Sequence, residues 1–109
     1  MAGASERECS HTLLLVQRNT EMRSRTYYDF ERIHFALDAL CELYENEERE
    51  KKEGVLCLTY DIADLHNFID DFNDLSLLVF NEKFNAYLPR GKAWAKQQLA
   101  LYLRMKAAR

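Results

Sequence analysis

Aspartates and histidines are the side chains of this 109-residue chain that could carry acid–base or metal chemistry. Five aspartates follow one another closely, at Asp61, Asp64, Asp70, Asp71 and Asp74. A metal site or a catalytic carboxylate pair would need several of them to converge on one point. Helical spacing scatters them instead, and no glycine-bearing calcium loop accompanies them. We interpret them as helix caps and as parts of a solvated face.

The histidines and cysteines show no ligand spacing that would indicate a metal. They are His11, His34, His66, Cys9, Cys41 and Cys57. The histidines form no H-E-x-x-H pattern, and the cysteines are too far apart for a C-x2-C zinc motif or a disulfide framework. No glycine-rich phosphate loop and no nucleophile motif is present. We therefore expect no catalysis, no metal and no cofactor.

Composition and charge narrow the classes of function. The chain has 48% apolar residues and a net charge of −3, so it should fold, and its long-range field should repel a polyanion. No apolar run reaches the roughly 18 to 20 residues of a membrane span, and the first ten residues lack a signal-peptide core. These features favour an intracellular protein that does not bind nucleic acid through bulk charge.

Hydrophobic periodicity predicts an α+β fold in one domain, residues 10–106, after a flexible arm at 1–9. Thr26 is a candidate N-cap with Asp29 three residues on, ahead of a helical stripe from Phe30 to Tyr44. Asp61 and Asp64 suit the start of a second helix. The predicted elements are a strand at 10–17, a helix from 26 to about 46, a strand at 55–60, a helix at 61–73, strands at 75–80 and 84–88, and a helix at 92–106.

The first strand carries aliphatic side chains on both faces, with Leu13 and Leu15 on one and Leu14 and Val16 on the other. The order β-α-β-α-β-β-α predicts a four-stranded antiparallel sheet with three helices on one face. Those helices supply only one covering layer, so the second sheet face needs another cover. A second copy of the same chain is the simplest one.

The first helix also has apolar residues away from its core stripe. Phe35, Ala39 and Leu43 recur at a spacing of four and are flanked by acidic side chains, at Glu31, Asp38 and Glu42. An exposed apolar strip with an acidic rim suits a partner segment that carries apolar anchors and basic residues. The alternative is that these are ordinary surface apolar residues or that a dimer covers them.

Several short segments, taken in order, resemble the enhancer of rudimentary family of small eukaryotic nuclear proteins. They are Ser10-His11-Thr12 before Leu-Leu-Val-Gln, Arg25-Thr26-Tyr27 with Asp29, Thr59-Tyr60-Asp61-Ile62, Phe68-Ile69-Asp70-Asp71, and Asp74-Leu75-Ser76. Tyr87, Pro89 and Trp94 also fall where that family has them. The similarity runs from about Ser10 to Met105.

The resemblance implies a homodimer whose two sheets pack face to face and which has no known catalysis. It implies that the dimer face carries His11, Leu13, Leu15 and Gln17. Thr26 with Asp29 fits a casein-kinase-type phosphorylation site, while Arg32 replaces a serine that would be a second one. His11 at such a seam would either make a neutral interface hydrogen bond or have its protonation coupled to assembly.

Together these observations predict a non-enzymatic homodimeric adaptor that binds short segments of protein partners in nuclear RNA processing, RNA elimination or transcription. RNA would be reached through those partners, and the membrane would not be involved. The nucleus is the expected location, with cytoplasmic RNA granules as a further one. Two alternatives stay open: a direct single-stranded RNA binder that stacks bases on Tyr and Phe of an open sheet, and a small metal-dependent enzyme that uses the Asp and His set.

Overall fold

Four antiparallel strands and three helices make up the part of the chain that the computed structural model describes, residues 10–52 and 59–108. The strands pair in the order β2-β1-β3-β4. This arrangement confirms the predicted α+β class, the four-stranded antiparallel sheet and the three helices. The elements are β1 (Thr12–Gln17), β2 (Arg25–Phe30), α1 (Ile33–Lys51), α2 (Ile62–Asp71), β3 (Asp74–Asn81), β4 (Ala86–Arg90) and α3 (Lys92–Ala107), with a short 3-10 turn at Met22–Ser24.

The position of the second strand differs from the prediction. Residues 25–30 form β2, which pairs antiparallel with β1, so Thr26 is a strand residue opposite Val16 and not a helix cap. Phe30 likewise lies opposite Thr12 and not on the helical stripe. The physical reason is that Arg25-Thr26-Tyr27-Tyr28-Asp29-Phe30 is rich in β-branched and aromatic residues, and pairing with β1 outweighs the helical period that Phe30 shares with α1.

The strand predicted at 55–60 lies largely outside the described residues, which omit 53–58. Thr59 and Tyr60, which are described, belong to no strand. The order of the described elements is therefore β-β-α-α-β-β-α and not β-α-β-α-β-β-α.

The helices otherwise follow the predicted signals. In α1 the stripe continues through Ile33, Leu37 and Leu40, all buried. The helix runs on to Lys51, beyond the expected end near 46. In α2 the side chain of the N-cap Asp61 accepts a hydrogen bond from the backbone N–H of Asp64 at 3.0 Å. The Asp64 carboxylate in turn accepts from the backbone N–H of Asp61 at 2.9 Å, which completes a capping box.

The turn between β3 and β4 is built on asparagines. The Asn81 side chain accepts from the Phe84 backbone N–H at 3.2 Å, and Asn85 adopts a positive φ of 51°, a region that asparagine tolerates better than most residues. β4 then runs through Pro89 and does not end before it. β4 is an edge strand, so no strand pairs with its outer side. The missing N–H of Pro89 on that side therefore costs no ladder hydrogen bond.

The two faces of the sheet differ sharply in burial. Leu14, Leu77 and Val79 point toward the helices and are fully buried with helix residues such as Leu40 and Leu99. The core cluster of buried residues contains no side chain from the other sheet face. Among the described residues, all helix cover therefore lies on one side of the sheet.

Candidate functional site

The sheet face without helix cover, here called the open face, is defined by strand register. Residues directly opposite each other in an antiparallel pair share a face, so Leu13 stands beside Asp29 and Leu78, and Leu15 beside Tyr27 and Ser76. The same rule adds the remaining members. The open face consists of His11, Leu13, Leu15, Gln17, Arg25, Tyr27, Asp29, Asp74, Ser76, Leu78, Phe80, Tyr87 and Pro89.

All four residues expected at a dimer face lie together on this surface. Leu15 is 37% exposed and Leu13 is half-buried, which is unusual for leucines in the middle of a sheet. His11 is also half-buried. Gln17 is only 6% exposed, because its own neighbours in the same chain enclose it. The centre of the open face is thus apolar.

A polar cluster closes one end of the open face around His11. The Nε2 atom lies 2.5 Å from Oδ1 of Asp29 on β2, and the Nδ1 atom lies 2.8 Å from the hydroxyl of Tyr87 on β4. An ionised carboxylate only accepts, so Nε2 must carry a proton. In the neutral ring Nδ1 accepts from the hydroxyl of Tyr87, and in the charged ring it donates to it. His11 thereby links the two edge strands across β1 and β3.

Aromatic rings also line the open face. Phe80 and Tyr87 meet edge to face with centroids 5.2 Å apart, and His11 and Tyr87 do so at 5.8 Å. Tyr27, on β2, is 69% exposed. Sequence reasoning did not single out Phe80, Tyr27 or Leu78 as members of the site. The sequence carries a signal for Leu78 and Phe80, since residues 75–80 are apolar except for Ser76.

The other end of the face carries a second polar group. The Gln17 side chain donates to the backbone carbonyl of Asn19 and accepts from Nε of Arg25, both at 2.9 Å. Asp74 lies opposite Gln17 on β3. The open face is therefore apolar at its centre and carries a polar group at each end.

The predicted strip on α1 is only partly exposed. Phe35 is 50% exposed, whereas Ala39 and Leu43 are half-buried, and Leu43 packs against the core. Asp38 is not a free acidic rim residue, because it accepts from the hydroxyl of Tyr102 at 2.7 Å and lies 3.6 Å from Nζ of Lys106. The strip is smaller than the sequence predicted.

A groove between α1 and α3 provides apolar surface that sequence reasoning missed. It has a volume of about 180 Å³ and is lined by Ile33, His34, Leu37, Gln98, Leu101, Tyr102 and Met105. Leu101 and Met105 are 42% and 48% exposed, and the His34 ring stacks on Tyr102 with centroids 4.8 Å apart. The spacing of four between Leu101 and Met105 was the available signal.

The aspartates do not converge. Asp61 and Asp64 form the capping box, Asp70 pairs with Lys96 at 2.9 Å, and Asp71 with Arg18 at 3.1 Å. The hydrogen bond from Lys96 lowers the pKa of Asp70. Among residues 10–52 and 59–108, no group of three His, Cys, Asp or Glu side chains could hold a metal ion. In the same part of the chain, no helix has the length and apolarity to cross a membrane.

Comparison with known proteins identifies the family. The family model described as Enhancer of rudimentary matches residues 8–109. The Enhancer of rudimentary homolog of Arabidopsis thaliana is 39% identical over 101 residues, covering 93% of each chain. The Protein enhancer of rudimentary of Drosophila virilis is 37% identical over 98 residues, covering 90% of this chain and 94% of its own. The chain therefore belongs to the enhancer of rudimentary family.

Proposed function

We propose that this chain is a non-enzymatic homodimeric adaptor that binds short segments of protein partners in nuclear RNA processing, RNA elimination or transcription. The open face is the proposed dimer surface, and the observation that carries the proposal is its apolar centre without helix cover. The dimer presents two copies of each partner surface, so a paired partner is captured with higher avidity than a single one.

Burial energetics support a second copy of the chain as the cover. Leu13, Leu15 and Leu78 with Phe80 form a contiguous apolar patch at the centre of the sheet. Each such side chain contributes about 1.5 to 3 kcal/mol when it is fully covered. A two-fold dimer covers this patch on both copies at once, and an interface of roughly 1,200 Å² or more is the usual size of a stable contact.

The partner surface is assigned to the helix layer. Phe35 on α1 and the groove that contains Leu101 and Met105 are apolar and exposed, and Glu31 and Glu42 add negative charge near Phe35. This chemistry suits a short segment with apolar anchors and basic residues. Because these groups lie away from the open face, dimer formation leaves them accessible.

One observation favours direct binding of single-stranded RNA as a second candidate. Tyr27 and Tyr87 are exposed aromatics on the open face, 69% and 42% exposed, and bases stack on such rings. Asp29 on the same face and the net charge of −3 oppose a polyanion. The two candidates are exclusive at this surface, since a covered face offers no rings to RNA.

The decisive experiment is the double variant Leu13→Arg with Leu15→Arg, measured by analytical ultracentrifugation. We expect it to be monomeric, because arginines at the centre of the seam would be buried without partners. A matched control, Leu101→Arg with Met105→Arg, adds the same charge on α3 and should remain a dimer. A wild-type monomer, or an L13R/L15R variant that stays dimeric, would reject the interface. Salt-sensitive binding of labelled oligouridine by the wild type would favour the RNA candidate.

A further inference from the structure

The cluster of His11, Asp29 and Tyr87 lies at the end of the open face, where a covering copy would shut it off from water. His11 and Asp29 have side-chain exposures of 37% and 63%, so both are solvated in the single chain. Their ring-to-carboxylate contact of 2.5 Å and the 2.8 Å contact to Tyr87 are already formed there. The cluster is thus preorganised and changes its environment only when the face is covered.

The groups that face His11 from the neighbouring strands are few. Asp29 on β2 is the charged one, Tyr87 on β4 supplies a hydroxyl, and β3 contributes the Phe80 ring and its backbone N–H, which donates to the His11 carbonyl oxygen at 2.9 Å. Arg25 and Asp74 are the other charged members of the open face, and both stand beside Gln17 at its opposite end. Among the residues that the structure describes, His11 and Asp29 therefore set the local charge of the cluster.

We propose that each copy of the chain takes up a proton on His11 when two open faces associate, so that the homodimer tightens as the pH falls through the range in which histidine ionises. With a neutral ring the closed seam holds a carboxylate that carries an uncompensated charge. With a charged ring it holds an ion pair of zero net charge, joined by a charge-assisted hydrogen bond. Removing an uncompensated charge from water costs more than removing a compact, hydrogen-bonded pair.

The direction of the effect follows from linkage. The associated state binds more protons than the separated state, so the association constant rises as the pH is lowered from 8 toward 6, the range in which an ordinary histidine becomes charged. The tyrosine hydroxyl accommodates both states, because it donates to a neutral Nδ1 and accepts from a protonated one. Each copy contributes one such site, so the two contributions to the dimer add.

The test measures the dimer dissociation constant by sedimentation equilibrium at pH 6, 7 and 8 and constant ionic strength. The wild type should dissociate about tenfold less readily at pH 6 than at pH 8. His11→Gln keeps an amide donor for Asp29 and should remove the pH dependence. Asp29→Asn should reverse its sign, since a charged ring would then be covered without a counter-charge. His66→Gln is the matched control, because His66 bonds to the Lys96 carbonyl in the helix layer, and it should behave as the wild type.

This proton uptake rests on the homodimer proposed above. The measurements distinguish a failure of the homodimer from a failure of the proton uptake. A wild type that is monomeric at every pH rejects the homodimer and the proton uptake together. A dimer with a constant dissociation constant between pH 6 and 8 overturns the proton uptake alone. So does a pH dependence that survives His11→Gln, or one that keeps its sign in Asp29→Asn. Should a variant fail to fold, the heat of wild-type dissociation in two buffers of different ionisation enthalpy reports the protons released, and a value of zero overturns the proposal.

Discussion

Arg18 joins three elements, and its replacement by methionine offers a quantitative test of how the helix layer is held to the end of β1. Its Nε and Nη2 atoms donate to the two carboxylate oxygens of Glu47 on α1 at 2.5 and 2.9 Å, and Nη1 donates to Asp71 at the end of α2 at 3.1 Å. The guanidinium also lies over the rings of Phe68 and Phe72, 4.9 and 4.6 Å from their centroids. Methionine keeps an apolar stem but loses all of these contacts.

The expected loss of stability is about 2 to 3 kcal/mol. Arg18 and Glu47 are 29% and 32% exposed, so solvent screening reduces their two-pronged pair to about 1 kcal/mol. Each ring contact adds about 0.5 to 1 kcal/mol. Arg18→Lys keeps the positive charge but not the planar guanidinium that contacts both carboxylate oxygens. It should lose about half as much stability as Arg18→Met. A double-mutant cycle with Glu47→Gln should show a coupling of about 1 kcal/mol.

The assay is urea unfolding at one fixed protein concentration, because a dimer makes apparent stability depend on concentration. The pH dependence adds a second criterion. The hydrogen bond from Arg18 holds the pKa of Glu47 below its ordinary value. The stabilisation from the Arg18–Glu47 pair is therefore complete at pH values above the unfolded-state pKa of a glutamate. It is lost as the pH falls through the lower pKa that Glu47 has in the native state. A loss under 0.5 kcal/mol in Arg18→Met, or a coupling that is the same whether the Glu47 carboxyl group is ionised or protonated, would refute the reasoning.

Two further predictions concern single side chains. Thr26→Val should leave the free energy of unfolding within 0.5 kcal/mol of the wild type, because valine suits the strand position that Thr26 occupies; a loss of about 1 kcal/mol in chemical denaturation would instead indicate a helix cap. Burial raises the pKa of the Cys41 thiol to about 11. Cys41 in the folded protein should therefore be alkylated by iodoacetamide at pH 8 about a hundredfold more slowly than in the denatured chain, as followed by peptide mass mapping, and equal rates would contradict this assignment.

Sequence patterns were most successful where local chemistry decides the structure. Asp61 and Asp64 predicted the capping box of α2, and the stripe from Ile33 to Leu40 predicted the buried face of α1. The apolar residues on both faces of β1 predicted a sheet face without helix cover, and in residues 10–52 and 59–108 Leu14 is buried under the helices whereas Leu15 on the other face is exposed. Each of these signals lies within one element and needs no knowledge of distant contacts.

The wrong predictions arose where pairing between distant segments decides the local structure. Phe30 fits the helical period of α1, yet it lies in β2 because β1 offers it a ladder of hydrogen bonds. The assignment of Thr26 as a cap followed from that mistake. The cluster of His11, Asp29 and Tyr87 was also invisible, since its members are separated by 18 and 58 positions and meet only through the sheet order. No local spacing encodes such a meeting.

The correction to β2 strengthens the case for an interface on the open face. A helix at 25–30 would have placed Asp29 in the helix layer, whereas strand pairing places it beside Leu13 and within reach of His11. The same pairing brings the Tyr27 ring next to Leu15. A sheet that needed only to support the helices would gain nothing from leucines at these outward positions, where they meet water. Their presence is explained if the surface is covered by a partner of the same chemistry, and the polar cluster at its end then makes the strength of that contact sensitive to protons.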